Sequence, residues 1–409
     1  MIKWIKLTYN INLSDIYIAF NSDYSKYALK RDQLIIDICL KYNINLIKLD
    51  SDYTLISFEN MVKLDQTAYK QFGAFYKNAI KYIVPKPIQT KYSSYLNKQI
   101  ITLENIKNIR DIENIKEYDI LKLNIFYTIN DKLVQNGGRS NANKQLNNLN
   151  KFKSYNLLKD RLDYTTTNLS AYLNFGCISI REVYYQIKKK LGSTTLILKQ
   201  LYWRDFYLQA LKYLPNGNEF IHMDKRYEQI KWASLTTTKS NWHKLINSKT
   251  GFLIIDAAMN EMKITGFMHN RARMIVANFW TKYLLINIFD PIYGSQVNYS
   301  KYLVDAIGPS QNKLNHQWIT EFDYSGKKYA PSKAVIAGRP MNPSNIIIKK
   351  FDPNCIYIKK WLKHLSDIPN KDLIKWNNEM SIKYNNIHPA PMFDYKEKYK
   401  EWINACLNI

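Results

Sequence analysis

The fold is decided by the stretch Thr250–Leu285, which reads TGFLIIDAAMNEMKITGFMHNRARMIVANFWTKYLL. Its apolar periodicity predicts two helices joined at Thr265-Gly266, because a glycine after the last periodic residue ends a helix. In the second helix the spacing of Asn270, Arg273 and Ala277 places them on one face, and the apolar residues around them predict burial. A buried, unpaired arginine would be strongly destabilising, so this helix needs a carboxylate, a phosphate or a bound polar ligand nearby. A structural Arg–Asp pair and a ligand site both stay open at this point.

Length and composition predict a large soluble protein. The chain has 409 residues, of which 46% are hydrophobic, and this length predicts two or more domains. No apolar run approaches the roughly 20 residues that span a bilayer, and the N-terminus lacks the features of a signal peptide. We therefore expect no membrane association and an intracellular location, cytoplasmic or nuclear.

The spacing of the cysteines and the net charge limit which kinds of site and binding partner we expect. Cys39, Cys177, Cys355 and Cys406 are scattered without a CxxC, which argues against disulfides, a zinc ribbon, an iron-sulfur cluster or another metal site. A net charge of +25 favours an acidic partner, most commonly nucleic acid. The chain is also rich in Lys, Asn, Ile and Tyr, so part of the lysine excess is explained equally well by compositional bias.

The pattern along the chain predicts an α/β N-terminal domain and a larger all-α domain. Residues 1–84 alternate DIYIAF, RDQLIIDICLKY and INLIKLD, a β-α-β rhythm typical of a partial Rossmann-like domain with a parallel sheet. Residues 85–136 are polar and read as a connector. Gly137-Gly138-Arg139 then precedes a helix, and residues 137–409 are predicted to be helical throughout.

Two consecutive segments of the central stretch resemble the flavin-binding core of the photolyase/cryptochrome family. They read TG-F-L-I-I-D-A-A-M and TG-F-M-H-N-R-A-R-M-I-V-A-N-F, in the same order as in the family. The resemblance is closest to the class I cyclobutane pyrimidine dimer photolyases. It implies light-driven DNA repair by electron transfer from reduced FAD in a helical domain. The alternatives are a cryptochrome-like flavoprotein that signals or binds nucleic acid without repair, and a relic that folds without FAD.

Hydroxyl residues mark the expected cofactor site. Thr165, Thr166, Thr167 and Ser170 precede or begin an apolar helix, where backbone N–H groups favour an anion, whereas an ordinary N-cap needs one hydroxyl. In the family this segment holds the FAD pyrophosphate. The residues that the resemblance assigns to the cofactor are Tyr155, Thr166, Thr167, Ser170, Arg204, Asn270, Arg273, Asp305 and Asn312.

The expected substrate site centres on QLYWRDFY, where Gln200, Trp203 and Arg204 share a helix face. A tryptophan at such a position is more often core packing, but the resemblance implies that it stacks on an extruded pyrimidine pair. Photolyases of the pyrimidine-pyrimidone type carry a catalytic histidine at the position of Asn270, which favours the cyclobutane-dimer subclass. The resemblance assigns catalysis to Gln200, Trp203, Asn270, Met274 and Trp318, and DNA binding to Trp203, Arg271, Trp318 and Arg339.

Several positions depart from the family pattern. In LVDAIGPSQNKLNHQW, Asp305 aligns with the aspartate that pairs with Arg273, but the second aspartate is replaced by Ile307. One residue is inserted, so either Asn312 or Gln311 is the neighbour of flavin N5. Gln200 replaces the usual glutamate; because an amide cannot supply a proton or carry charge, we expect a reduced quantum yield.

The family reduces its flavin along three tryptophans, and here the aligned positions hold His316, Ile288 and Trp232. Only the outermost, Trp232, survives as an electron-transfer residue. We expect weak photoreduction by this route, with Trp280 or nearby tyrosines as substitutes.

The segments YSKYALKRD and FGAFYKNAIKYIVPKP resemble the second half of the family's antenna domain, whose first half has no counterpart here. A parallel sheet without its first strands has an uncovered edge. Either the domain is rebuilt differently or a second polypeptide completes it. No antenna chromophore is identified, because much of its pocket would belong to the missing half.

Overall fold

The computed structural model describes residues 12–49, 53–87, 130–213, 225–303 and 340–407. The predicted connector therefore falls largely outside the described residues. So do several residues of the predicted site and its departures, namely Asp305, Ile307, Gln311, Asn312, His316, Trp318 and Arg339.

The predicted β-α-β unit is confirmed at the N-terminal end. Strand β1 (Tyr17–Asn21), helix α1 (Lys26–Tyr42) and strand β2 (Asn45–Leu49) follow one another. The two strands are parallel, in a register that pairs Tyr17 with Asn45. They form a two-stranded sheet, and neither strand contains a fully buried residue.

Local chemistry sets the bounds of α1. The Ser25 side chain accepts a hydrogen bond from the Ala28 N–H at 3.2 Å, which caps the start of the helix. Asn43, with φ of 52°, adopts the left-handed conformation that commonly ends a helix. Both residue types are the ones that favour these positions, so the helix follows from the sequence nearby.

From residue 130 onward, the described chain consists of helices and connecting turns and contains no strand. The α-helices that the described residues form after β2 are α2 (Phe72–Ala79), α3 (Arg139–Asn147), α4 (Tyr155–Leu158), α5 (Ser170–Asn174), α6 (Ile180–Leu191), α7 (Leu196–Tyr213), α8 (Leu235–Ile246), α9 (Leu253–Thr265), α10 (Asn270–Asn278), α11 (Ser295–Tyr302), α12 (Asn345–Phe351), α13 (Ile356–Trp361), α14 (Asn370–Ile374), α15 (Asn378–Lys383) and α16 (Tyr395–Leu407). Of these, none is both long and apolar enough to cross a membrane.

Helices α9 and α10 confirm the pair predicted from the central stretch. Gly266, with φ of 65°, ends α9 in the left-handed conformation, and α10 begins four residues later. Phe279–Tyr283 continue α10 as a π-helical turn. Gly251, before α9, lies so close to the Ala390 carbonyl that a Cβ there would be 2.0 Å from its oxygen. Glycine is therefore required at this position by packing as well as by its φ of 77°.

Two large hydrophobic cores organise the described residues. One contains α9, α10 and the chain from Ile347 to Trp376. The other contains residues 55–79 of the N-terminal part together with residues of α3, α6 and α7. This second core therefore draws on both sides of the predicted connector, so that α2 packs with the helical part.

Candidate functional site

A cavity of about 260 Å³ lies where three segments meet: the loop 162–168, the corner between α9 and α10, and helix α13. Thr165 and Thr166 of the predicted anion-binding segment line it, and Lys360 of α13 adds a cation. Sites for drug-sized ligands measure about 300–1,000 Å³, so this space suits one part of a dinucleotide.

Hydrogen-bond donors without partners surround the cavity. Tyr164 Oη, His269 Nε2 and Trp361 Nε1 are buried and form no hydrogen bond with any described residue. Burial raises the pKa of Tyr164, so its hydroxyl keeps its proton. Buried donors are normally satisfied, so three of them around one space indicate a ligand rich in acceptor oxygens. The phosphates of FAD, the predicted cofactor, fit this requirement.

His269 owes its position to the start of α10. As the N-cap residue, it accepts the Arg271 N–H on Nδ1 at 3.1 Å, so its Nε2 carries the hydrogen. Burial lowers the pKa of His269 to about 4, and the charges of Arg271 and Arg273 act in the same direction. The ring is therefore neutral near pH 7 and offers the cavity a single N–H donor.

Glu261 ties the three segments together. Its Oε2 accepts a hydrogen bond from Tyr357 Oη of α13 at 2.6 Å and another from the His269 backbone N–H at 3.2 Å. Burial raises the pKa of Glu261, although these two hydrogen bonds oppose the rise. The carboxyl group therefore holds α13 against the corner between α9 and α10.

Arg271, predicted to contact DNA, lies beside the segment that carries Tyr155. Its Nε donates to Asp160 Oδ1 at 2.7 Å, and Lys159 Nζ lies 2.7 Å from the other carboxylate oxygen. Burial tends to raise the pKa of Asp160, but the hydrogen bonds from Lys159 and Arg271 outweigh it and lower the pKa. Met274 Sδ lies 3.1 Å from Arg271 Nη1. Burial raises the pKa of Tyr155 to about 12, and the charges of Asp160 and Arg271 also act on its hydroxyl. The structure therefore brings together three predicted residues, Tyr155, Arg271 and Met274.

The other predicted residues of α10 lie on its accessible side. Asn270 is exposed, whereas Arg273 is partly buried and its Nε donates to the Met268 carbonyl at 2.8 Å. The predicted partner of Arg273 lies outside the described residues, so that pairing stays a prediction. Thr167 and Ser170 are near the cavity in sequence, at the start of α5, but are not among its lining residues.

Helix α7 carries the other part of the predicted substrate site. Gln200 is exposed and Trp203 is partly buried, with its indole stacked on the Phe72 ring of α2. Arg204 Nη1 donates to the Tyr53 carbonyl at 2.8 Å, and its guanidinium lies over the Tyr53 ring. Arg204 thus contacts the N-terminal part of the chain and does not line the cavity, and its predicted cofactor role stays a prediction.

Trp232 belongs to a small aromatic cluster with α16. Its ring centroid lies 6.4 Å from that of Trp402. Trp280, the predicted substitute, is fully buried, donates from Nε1 to the Tyr293 carbonyl at 2.9 Å and lies 5.7 Å from the Tyr299 ring. The electron-transfer roles of Trp232 and Trp280 stay predictions.

The cavity wall includes residues that sequence reasoning missed, among them Tyr164, His269, Tyr357 and Trp361. A signal was present for each. His269 occupies the N-cap position before the predicted α10, where a side-chain acceptor is expected. Tyr357 and Trp361 begin and end the aromatic-bounded segment YIKKW, and Tyr164 directly precedes the threonines.

The chain is similar in sequence to known proteins. Residues 197–408 match the sequence family described as the FAD binding domain of DNA photolyase. A deoxyribodipyrimidine photo-lyase of Alkalihalophilus pseudofirmus is 27% identical over 391 residues, covering 91% of this chain and 75% of that protein. One from Buchnera aphidicola subsp. Baizongia pistaciae is 29% identical over 403 residues, covering 94% of this chain and 77% of the relative.

The chain also resembles solved structures in its fold. An archaeal photolyase from Sulfolobus tokodaii, with two FAD molecules, superimposes with a TM-score of 0.70 at 24% identity, covering 100% of this chain and 82% of the other. A class III photolyase from Agrobacterium tumefaciens gives a TM-score of 0.71 at 19% identity, with coverages of 98% and 80%.

Proposed function

Because this chain belongs to the DNA photolyase family, we propose that it is a deoxyribodipyrimidine photo-lyase, an enzyme that repairs cyclobutane pyrimidine dimers in DNA with light. The match of residues 197–408 to the FAD-binding domain carries the proposal. The three unsatisfied donors around the cavity support it, since they suit an oxygen-rich cofactor. Because the proposed substrate is DNA, we also propose an intracellular location, cytoplasmic or nuclear.

FAD in its reduced form is the proposed cofactor. When bound, it supplies the light-excited electron that opens the cyclobutane ring and that returns after the ring has split, without net redox change. The chain would hold it through hydroxyls, charged side chains and two amides. These residues are Tyr155, Thr166, Thr167, Ser170, Arg204, Asn270, Arg273, Asp305 and Asn312.

The lesion must leave the duplex to reach the cofactor, which requires unstacking the damaged pair. We assign the reception of the two bases to Trp203 and Trp318, since aromatic faces stack bases irrespective of sequence. We assign Met274 to the same site, and we assign the exposed amides of Gln200 and Asn270 as hydrogen-bond donors to the dimer as it takes on negative charge.

Cations hold the DNA strand in this arrangement. We assign phosphate contacts to Arg271 and Arg339, in a chain with a net charge of +25. Asp160 already orients Arg271 at 2.7 Å, so its guanidinium is positioned before DNA arrives.

The test is to purify the protein, record its flavin absorbance and follow dimer loss from ultraviolet-irradiated DNA in light and in the dark. Flavin together with light-dependent dimer loss is the expected result. Flavin without dimer loss would instead select a cryptochrome-like function. A protein that binds no flavin would refute the proposal altogether.

For the N-terminal sheet we propose a second polypeptide that adds parallel strands. Within the described residues the sheet has two parallel strands, so each strand has one edge that pairs with no other strand. Tyr17, Ile47 and Leu49 are also 65%, 43% and 41% exposed, whereas parallel sheets are normally covered on both faces. Light scattering on the protein isolated from its native source tests this idea. A mass equal to that of the chain alone would reject it.

A further inference from the structure

Helix α7 is fastened to the N-terminal part of the chain by buried polar contacts. The Leu55 N–H donates to Asp205 Oδ2 at 2.8 Å. Gln209 and Tyr69 form a reciprocal pair, in which Gln209 Nε2 donates to the Tyr69 carbonyl at 2.9 Å and the Tyr69 N–H donates to Gln209 Oε1 at 3.1 Å. Because these hydrogen bonds are directional, they set both the position and the rotation of α7 relative to residues 55–69.

Between these contacts, Phe72 stacks on Trp203. The ring centroids are 3.6 Å apart and the ring planes differ by 5°, so one face of the indole is covered by the phenyl ring. Phe206 packs edge-on against both rings, at 5.7 Å from Phe72 and 5.6 Å from Trp203. Phe72 is only 8% exposed, and Lys199 Nζ lies 5.7 Å from its ring centroid. The Phe72 ring is therefore itself held in place.

We propose that Phe72 is a positioning residue that holds the Trp203 indole in the plane in which its other face receives a pyrimidine of the dimer. This inference rests on the proposed function. Tyr207 also stacks on the indole, with its ring centroid 5.7 Å from that of Trp203 and the ring planes 29° apart. Trp203 remains partly exposed beside both rings, so these contacts support the indole without enclosing it. An unsupported indole on a helix surface could turn about its side-chain bonds, and binding a base would then have to order it. The N-terminal part thus contributes to the substrate site through α2.

The experiment compares the holoprotein with Phe72→Leu, with Phe72→Met as a second variant that keeps apolar volume without a ring. Dissociation constants are measured in the dark for a duplex with one cyclobutane dimer and for the same duplex undamaged. Losing an aromatic pair corresponds to about a two- to twelvefold weaker affinity for the dimer duplex. The affinity for undamaged DNA should not change, and Phe72→Tyr should behave as the wild type.

Phe75→Leu is the matched control, since Phe75 lies on the same helix, is fully buried and has its ring contacts with Tyr69, Phe72 and Phe206. It should lower thermal stability but preserve the ratio of the two affinities. In a Trp203→Ala background, Phe72→Leu should change that ratio no further, because the ring that it positions is gone. A merely structural role for Phe72 would not depend on Trp203 in this way.

The outcomes separate the inference from the function on which it rests. A wild-type protein that prefers the dimer duplex, together with Phe72 variants of unchanged preference, overturns the role of Phe72. An equal loss of preference in Phe75→Leu also overturns it. A wild-type protein without any preference for the dimer duplex refutes the proposed function itself.

Discussion

Acid should destabilise the protein through His269, and His269→Asn should remove this effect. His269 is 3% exposed, and burial, followed by the charges of Arg271 and Arg273, lowers its pKa from 6.5 to about 4. Because the histidine pKa is lower in the folded protein, the unfolded chain binds a proton at pH values between the two pKa values, whereas the folded protein does not. The stabilisation is therefore complete above about pH 6.5 and is lost as the pH falls towards the folded-state pKa.

The size of the effect follows from the two pKa values. The difference between 6.5 and about 4 corresponds to roughly 3 kcal/mol if titration is complete. Between about pH 7 and about pH 5 the wild type should lose about 2 kcal/mol of unfolding free energy through this residue. Asparagine is a good N-cap, so His269→Asn keeps an acceptor for the Arg271 N–H and does not titrate.

The assay is urea unfolding of both proteins, followed by tryptophan fluorescence at several pH values in this range. All other titrating groups are common to the two proteins, so the difference between their pH profiles isolates His269. The wild type should approach or fall below the variant as the pH decreases. Parallel profiles would show that His269 is not held neutral by its surroundings and would refute the reasoning.

Three further predictions concern the proposed chemistry. Gln200→Glu should raise the number of dimers repaired per absorbed photon, because a carboxyl group can supply a proton; an unchanged yield would remove this role from Gln200. Arg271→Gln should weaken binding to damaged and undamaged DNA alike and reduce the slope of log affinity against log salt by about one. An unaltered slope would mean that Arg271 contacts no phosphate. Flavin photoreduction should be slow and should survive Trp232→Phe, as followed by flavin absorbance under illumination, and fast photoreduction that this change abolishes would contradict the broken tryptophan route.

The elements that sequence patterns predicted correctly are those set by neighbouring residues. Ser25 and Asn43 bound helix α1, and Gly266 ends helix α9, as their side chains or backbone freedom require. These interactions span only a few residues, so local composition and periodicity are sufficient. The helix predicted to follow Gly137-Gly138-Arg139 is present as α3, and it already begins at Arg139, directly after Gly138.

The wall of the cavity was less predictable, since it assembles residues from distant parts of the chain. Tyr164 and Trp361 lie far apart in the sequence, on either side of helices α5 to α12, yet both direct hydrogen-bond donors into the same cavity. For Arg204, the position on its helix was predictable but its tertiary contact was not. Its place on the face of Gln200 and Trp203 was predicted from helical spacing, but its hydrogen bond to the Tyr53 carbonyl depends on tertiary packing.

Asp205 shows how closely the N-terminal part and the substrate helix depend on each other. It is fully buried, and burial raises its pKa to about 7, although Arg204 and the backbone N–H groups of Leu55 and Ile56 oppose the rise. Without these two N–H groups, the carboxyl group would lose the hydrogen bonds that favour its charged form, and a buried acceptor left unsatisfied costs about 1–3 kcal/mol. The same segment of chain leads to Phe72, whose ring stacks on Trp203 one turn or less from Asp205. The N-terminal part is therefore needed for the electrostatics and the geometry of helix α7, whether or not it binds an antenna chromophore.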